Sequence, residues 1–241
     1  MRTHVTFDGI DLTQSFYVSD LRDPLLTQES ISQDKVGGDG SIFLGTRLTV
    51  RTITLTLTVK GHRFEDVRNA ERDLAAILAK KEPRPLSLSI DNGIYWMAVP
   101  KVNGDGKRFL HATRFDVDFI CHDPVAFGAK REVTVPSGGS VIFHIGGTYR
   151  SMPLVRVPSA VRASNGYWKL TLDDGDYLLA EIPTSSATSL SFDCANRVLR
   201  VSDVVKAMPA DAKWLALEPG QHTLTMAGGG VTTIEYQERW L

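Results

Sequence analysis

Through most of this chain the apolar side chains return at every second position, the period of strands that lay one face on a core. The clearest run ends at Lys60. Leu48 and Val50, then Ile53, Leu55, Leu57 and Val59, are its apolar members, while Thr54, Thr56, Thr58 and Lys60 face the other way. The parity changes between Val50 and Ile53. An extra residue shifts a strand's apolar set in this way, so the pattern predicts one long strand with a bulge near Arg51 and Thr52. Only one stretch has a different period. From Phe64 to Lys80 the apolar positions are Phe64, Val67, Ala70, Leu74, Ile77 and Leu78, one face of a helix of about four to five turns. Glu65 and Asp66 at its start and Lys80 and Lys81 at its end suit the helix dipole, and Pro83 and Pro85 prevent continuation.

Strands follow the helix. Leu86, Leu88 and Ile90 alternate up to the turn Asp91-Asn92-Gly93, and Tyr95, Met97 and Val99 form the return strand. Asn103-Gly104-Asp105-Gly106 reads as a second turn, before a strand carrying Phe115, Val117, Phe119 and Cys121 on one face and Asp116 and Asp118 on the other. At 241 residues the chain is long for one core and ample for two. Composition shifts between Lys130 and Tyr149, where Ser137-Gly138-Gly139-Ser140 and Gly146-Gly147 bracket a short strand from Val141 to Ile145. This places two domains at 1–132 and 133–241. The second carries only short strands between turn signals: Leu154 to Val157, Tyr167 to Leu172, Tyr177 to Ile182, Leu190 to Asp193, Arg197 to Val201, Trp214 to Leu217, His222 to Met226 and Val231 to Trp240. That is the spacing of a β-sandwich. The fold class is therefore mainly β, with one helix in the first domain.

The motifs that could carry chemistry all have simpler readings. Asp116 and Asp118 are spaced as a carboxylate pair on one strand face, which is also the pattern of a solvated or interface face. Asp173-Asp174-Gly175-Asp176 lacks the ligand spacing and downstream glutamate of a calcium loop and reads as a hairpin turn. His122 and Asp123 are neighbours, and neighbours on a strand point to opposite faces. Gly37-Gly38-Asp39-Gly40 precedes a strand and lacks a following Lys-Ser/Thr, so it is an exposed loop rather than a phosphate cradle. Lys101, Lys107 and Arg108 suit a solvated turn. Trp168, after the Asn165-Gly166 turn, reads as a core aromatic, with a sugar-stacking platform as its alternative. Cys121 and Cys194 are far apart and read as buried small hydrophobes. No catalytic residue, cofactor or metal site is expected. A net charge of −1 gives no bulk reason for nucleic-acid binding, and no apolar run approaches the roughly 20 residues of a membrane helix. The N-terminal MRTHVTFDGIDL has no apolar signal core, so synthesis and use in cytoplasm are expected.

The order of features resembles the distal tail proteins of siphophages over nearly the whole chain. The resemblance lies in Phe7-Asp8-Gly9-Ile10-Asp11-Leu12, Gly37-Gly38-Asp39-Gly40-Ser41, Gly45 through Arg51-Thr52-Ile53-Thr54-Leu55, the helix with Glu71 and Leu74, and Phe119-Ile120-Cys121-His122-Asp123-Pro124. It continues with Leu199-Arg200-Val201, Trp214-Leu215-Ala216-Leu217-Glu218-Pro219-Gly220 and Ile234-Glu235-Tyr236-Gln237-Glu238-Arg239-Trp240. It implies a homohexameric ring built by the N-terminal domain and an outward galectin-like sandwich, whose last strand, about 231–241, packs back on the ring domain in some members. The implied partners are further copies of the chain, the tail tube protein, the tape measure protein, the tail-tip hub or tail-associated protein, and a receptor-binding protein. The implied place is the virion's tail tip, assembled in the bacterial host cytoplasm. The family has no catalytic residues.

The residues point to the same subunit contact. Asp34 to Thr46 holds Gly37, Gly38, Gly40 and Gly45, which leave it little intrinsic order, around the apolar Ile42, Phe43 and Leu44. A mobile loop with an apolar centre suits ordering against a neighbour. The strand from Arg47 to Lys60 would span about 45 Å and calls for a pairing partner beyond its own domain. Gly38, Asp39, Ile42, Phe43, Leu44, Arg47 and Arg51 are the expected contact residues. A carbohydrate-binding module for host attachment is the alternative; its mark is an exposed aromatic with convergent polar groups, such as Trp168 standing free on a concave sheet.

Overall fold

The computed structural model describes all residues except 1–3, 28, 36–39, 91–92 and 183–186. The chain forms two compact units, Met1–Ala126 with Leu241, and Phe127–Trp240. The division lies between Ala126 and Phe127, ahead of the expected one between Glu132 and Val133. The glycine and serine shift that suggested the later position marks a turn between two sheets of the second unit, not a linker.

The first unit begins with β1 (Val5–Phe7), β2 (Ile10–Asp11), a single helical turn α1 (Leu12–Ser15) and β3 (Tyr17–Arg22). A hairpin follows, β4 (Glu29–Lys35) and β5 (Ser41–Leu48). Then come β6 (Arg51–Lys60), helix α2 (Phe64–Leu78), β7 (Arg84–Leu88), β8 (Trp96–Phe109) and β9 (Ala112–Cys121). Seven strands form one sheet in the order β2-β1-β7-β8-β9-β6-β3, while β4 and β5 form a two-stranded sheet of their own. The parity change near Arg51 therefore has a different cause from the bulge expected. Thr49 and Val50 separate two strands that belong to different sheets.

On β6, Ile53, Leu55, Leu57 and Val59 are fully buried, and Phe119 of β9 meets Phe7 of β1 edge to face with ring centres 5.1 Å apart. Helix α2 lies on this face through Val67, Leu74 and Leu78. At its start the Asp66 carboxylate accepts from the backbone N–H of Arg63, the residue before the helix, at 2.9 Å. Gly61 makes the approach possible, because a Cβ there would fall 2.7 Å from both Asp66 Cβ and Val67 N. Phe64, expected on the buried face, is 66% exposed. The expected turn at Asn103–Gly106 is also different. Strand β8 runs through it with a register shift against β9 between Asn103 and Lys107, and the reversal comes at Leu110–His111, between the paired Phe109 and Ala112.

The second unit comprises β10 (Ala126–Val135), β11 (Ser140–Ile145), β12 (Leu154–Ala160), β13 (Tyr167–Leu172), β14 (Tyr177–Glu181), β15 (Thr188–Asp193), β16 (Val198–Val201), β17 (Val204–Lys206), β18 (Gly220–Ala227) and β19 (Thr232–Trp240). One sheet has the order β10-β19-β12-β15-β16-β17 and the other β11-β18-β13-β14. Their inner faces close on Trp168, which stacks on Phe192 at 5.6 Å, with Val155, Leu170, Leu224 and Ile234 around them. Leu215 and Leu217 are fully buried, yet the expected strand there is irregular chain held by paired hydrogen bonds of 2.8 Å between Ser151 and Leu217. The final strand has its ladder partners within the second unit. Strand β19 lies between β10 and β12, so its backbone groups are used inside the sandwich and only Leu241 falls with the first unit.

Leu74 is 3% exposed and Phe64 is 66% exposed. Leu74→Ala is expected to destabilise the protein by about 2–5 kcal/mol, and Phe64→Ala by less than about 0.5 kcal/mol. Chemical denaturation of both variants checks this; a loss below about 0.5 kcal/mol for Leu74→Ala contradicts the packing of α2.

Candidate assembly site

Between Arg22 and Arg51 the chain leaves the seven-stranded sheet and returns. Strands β4 and β5 pair with each other from Glu29↔Leu48 to Lys35↔Ser41, with a register shift between Ser32 and Gln33 opposite Gly45 and Phe43. Gly45 takes φ 144°, a backbone state that other residues rarely adopt, and so permits the bulge. The arm's apolar side chains face outward: Ile31, Ile42, Phe43 and Leu44 are 53–65% exposed, and Leu25 at the base is 91% exposed. Ile42 lies opposite Asp34 and Phe43 opposite Gln33, so the two are on opposite faces of the hairpin. An isolated two-stranded hairpin is marginal in water, and this one has no face free of large apolar groups. Exposed apolar surface of this kind marks an interaction site.

Of the seven residues expected at the contact, Ile42, Phe43, Leu44 and Arg47 are exposed on this arm. Gly38 and Asp39 lie outside the described residues. Arg51 has a different environment. It is 4% exposed, and its Nε and Nη2 donate to Asp23 Oδ1 at 2.9 and 2.6 Å, while Nη2 also donates to the carbonyl of Pro24 at 2.8 Å. The guanidinium lies 5.3 Å from the centre of the Trp96 ring. Arg51 Nη1 and Trp96 Nε1 are buried and have no hydrogen-bond partner among the described residues, a cost of about 1–3 kcal/mol for each such donor. Sequence alone does not show this, because Asp23 and Arg51 are separated by the whole hairpin.

The other candidates have structural roles. Thr56 donates to Asp116 and Thr54 to Asp118, both at 2.7 Å, across the β6–β9 ladder. Register places Arg22, Thr54, Asp118 and Lys101 in one rung and Asp20, Thr56, Asp116 and Asn103 in the next, a polar sheet face of mixed sign. His122 is exposed, and Asp123 accepts from the N–H of Val125. Lys107 and Arg108 are opposite Arg114 and Thr113, on alternate faces. Trp168 is fully buried, so it offers no platform for a sugar. Burial pushes the thiols of Cys121 and Cys194 up to about 12, which removes them as nucleophiles near neutral pH. Among the described residues no group of three or more His, Cys, Asp or Glu is placed to hold a metal. An open groove of about 390 Å³ on the second unit is lined by Lys130, Arg131, Glu132, Met152, Glu235 and Tyr236.

One feature of the second unit was not read from the sequence. His222 Nδ1 lies 3.1 Å from Asp173 Oδ1 and its Nε2 lies 2.7 Å from the carbonyl of Glu218. Two acceptors on one imidazole favour the doubly protonated ring. Burial works against the charge, but these two hydrogen bonds and the Asp173 and Asp174 charges outweigh it and raise the His222 pKa. The same bond lowers the pKa of Asp173. The pair staples the β13–β14 turn to the start of β18.

Residues 10–121 match the phage tail protein RIFT-related domain, and residues 146–240 match the C-terminal domain of siphovirus-type tail components. The chain belongs to the siphophage distal tail protein family. The arm and the Arg51 clamp fall in the first matched segment, and the division at Ala126 falls between the two matches. Among solved structures, the distal tail chain is similar in fold to SPP1 Dit (gp 19.1), a hub of the adsorption apparatus in phages that infect Gram-positive bacteria. The two are 19% identical over 100% of both chains, with a TM-score of 0.80. A chain of the phage p2 baseplate in its activated conformation with Ca is 10% identical over 99% of this chain and 98% of its own, with a TM-score of 0.49. No curated protein matches the sequence.

The His222 staple has a pH dependence of definite sign. A raised histidine pKa contributes stability that is complete below the unfolded value of about 6.5 and is lost as pH rises through the folded value. The lowered Asp173 pKa contributes stability that is present above the unfolded value of about 3.8 and is lost as pH falls through the folded one. The staple is therefore strongest in weak acid. Thermal unfolding of the second unit should show its midpoint falling above about pH 6.5, with a smaller fall in His222→Gln. Identical pH profiles for the two proteins would contradict the staple.

Proposed function

We propose that this chain is a structural, non-enzymatic subunit of the distal end of a phage tail. In this reading six copies close into a ring that joins the tail tube to the tail-tip or baseplate and host-attachment apparatus. Each copy extends the β4–β5 arm onto its neighbour. The partners are the tail tube protein, the tape measure protein, the tail-tip hub protein and a receptor-binding protein, and the place of action is the virion, after assembly in the host cytoplasm. The second unit is a galectin-like sandwich directed outward.

The observation that supports this most is the arm itself: apolar side chains on both faces of a hairpin that pairs with no other described strand of its own chain. A heterologous contact, in which the arm of one copy fits a different surface of the next, closes into a ring when the rotation permits. Strand β3, at one margin of the seven-stranded sheet, also offers an edge to a neighbour. The net charge of −1 opposes self-association little. The likeness to SPP1 Dit, described as a hub of an adsorption apparatus, supports a comparable place for this chain.

Phe43→Asp is expected to block incorporation into tails in a phage complementation assay. Its effect on the stability of the isolated protein should stay within about 0.5 kcal/mol, since Phe43 is 65% exposed. Normal incorporation of this variant, or a tail reconstruction with Ile42 to Leu44 in open solvent or the chain away from the tube axis, would contradict the proposal.

A further inference from the structure

We infer that Arg51 is a positioning residue that fixes the direction in which the β4–β5 arm leaves the sheet. The inference deepens the reading of the arm as the subunit contact, and its assembly consequence rests on that reading. Arg51 is the first residue of β6, on the returning side of the arm, and Asp23 and Pro24 are the first residues beyond β3, on the departing side. One guanidinium therefore ties the two ends of the excursion together, through Asp23 Oδ1 and the Pro24 carbonyl. Proline restricts the residue before it to extended backbone, which narrows the conformations of Asp23 and so the freedom of the carboxylate that Arg51 holds.

The clamp is anchored to the sheet. Arg51 is opposite Cys121 of β9, which is opposite Ala98 of β8, and the guanidinium lies over Trp96 of β8, itself 3% exposed. Thr27, 5% exposed, is the last buried residue before the arm departs. Beyond it the described side chains of β4 and β5 are exposed apart from half-buried positions such as Gly45 and Leu48. An arm held at its base, with its described side chains mostly exposed, acts as a lever. Seven residues of β4 extend about 23 Å, so a 10° change at the base moves the tip by about 4 Å. That displacement is comparable with the width of a side chain, enough to take Phe43 out of any pocket that receives it.

Arginine suits the task. Its planar fork satisfies the carboxylate and the carbonyl together while its face covers the indole, whereas a lysine ammonium makes point contacts and does not stack in this way. Arg51→Lys thus keeps the charge and loosens the restraint, and Asp23→Asn keeps the shape while removing the charge assistance.

The test is a distance distribution between spin labels on the isolated full chain. Thr46→Cys on β5 and His62→Cys between β6 and α2 are exposed sites, and the native Cys121 and Cys194 are buried. With Arg51 present the labels should give a single narrow distance. In Arg51→Lys that peak should be lost to a broad distribution, and Asp23→Asn should broaden it to a lesser degree, while far-UV circular dichroism keeps its β signature in both. A distribution in both variants as narrow as that of the parent overturns the inference. If Arg51→Lys fails to fold, Asp23→Asn decides by the same criterion; if neither folds, Arg51 is a core stabiliser and the inference fails. The distances need no ring, so they are separate from the assembly reading. Broadened distances with normal incorporation into tails would remove the arm as the contact and leave Arg51 as its clamp. Narrow distances with Phe43→Asp still blocking incorporation would do the reverse.

Discussion

The ladder between β6 and β9 runs unbroken from Arg51↔Cys121 to Lys60↔Ala112, and most of the first unit is organised by its register. One phase of the ladder supplies Ile53, Leu55, Leu57, Val117 and Phe119 to the core; the other supplies the Thr54–Asp118 and Thr56–Asp116 hydrogen bonds. A slip of one residue would bring those carboxylates against Phe7 and Leu74 and expose the aliphatic set, so the register is strongly specified. The two ends of β6 have different tasks. At one end Gly61 lets α2 pack closely on the sheet, and at the other Arg51 holds the base of the arm. A single strand thus relates the helix, the core and the arm to one another.

The arm carries a run of exposed apolar side chains, Ile42, Phe43 and Leu44 with Ile31, and it lines no pocket described above. The side chains that could have built a chemical site are bound in structural pairs: carboxylates with cross-strand threonines, His222 with Asp173 and Glu218, and both thiols in the cores. Trp168, the example named for a sugar-binding reading, is instead the largest fully buried side chain, stacked on Phe192. Such an arrangement suits a subunit whose task is to hold others in place. In the proposed reading, rigid cores position the arm and a neighbouring copy covers its apolar side chains.

Local pattern and turn chemistry were readable wherever one element makes its own case. The α2 periodicity identified a helix that runs from Phe64 to Leu78, and Asp173-Asp174-Gly175-Asp176 is the hairpin turn between β13 and β14. The apolar phase of β6 was read residue for residue. Errors came where a local signal has two physical causes. A parity change signals either a bulge or a strand break, and at Thr49–Val50 it is a break between sheets. Asn103-Gly104-Asp105-Gly106 has turn composition, yet β9 continues to pair on both sides of it, and Gly106 accommodates the bulge against Thr113 and Phe115. Ser137-Gly138-Gly139-Ser140 reads equally as linker or turn, and pairing of β10 with β19 decides for the turn.

Alternation and one helical stretch were by themselves enough to determine a mainly β chain with a single long helix, a sandwich in its second half and an apolar segment at Ile42 to Leu44, because these follow from which residues share a face over a few neighbouring positions. The tertiary structure alone decided that Arg51 is buried against Asp23 and Trp96, that β19 lies between β10 and β12, and that His222 meets Asp173. Each of these pairings joins residues far apart in the chain. The sequence states what each partner needs, a counter-charge, a ladder neighbour or an acceptor, and many residues could supply it; only the closed fold, by bringing one of them within hydrogen-bond distance, selects which does.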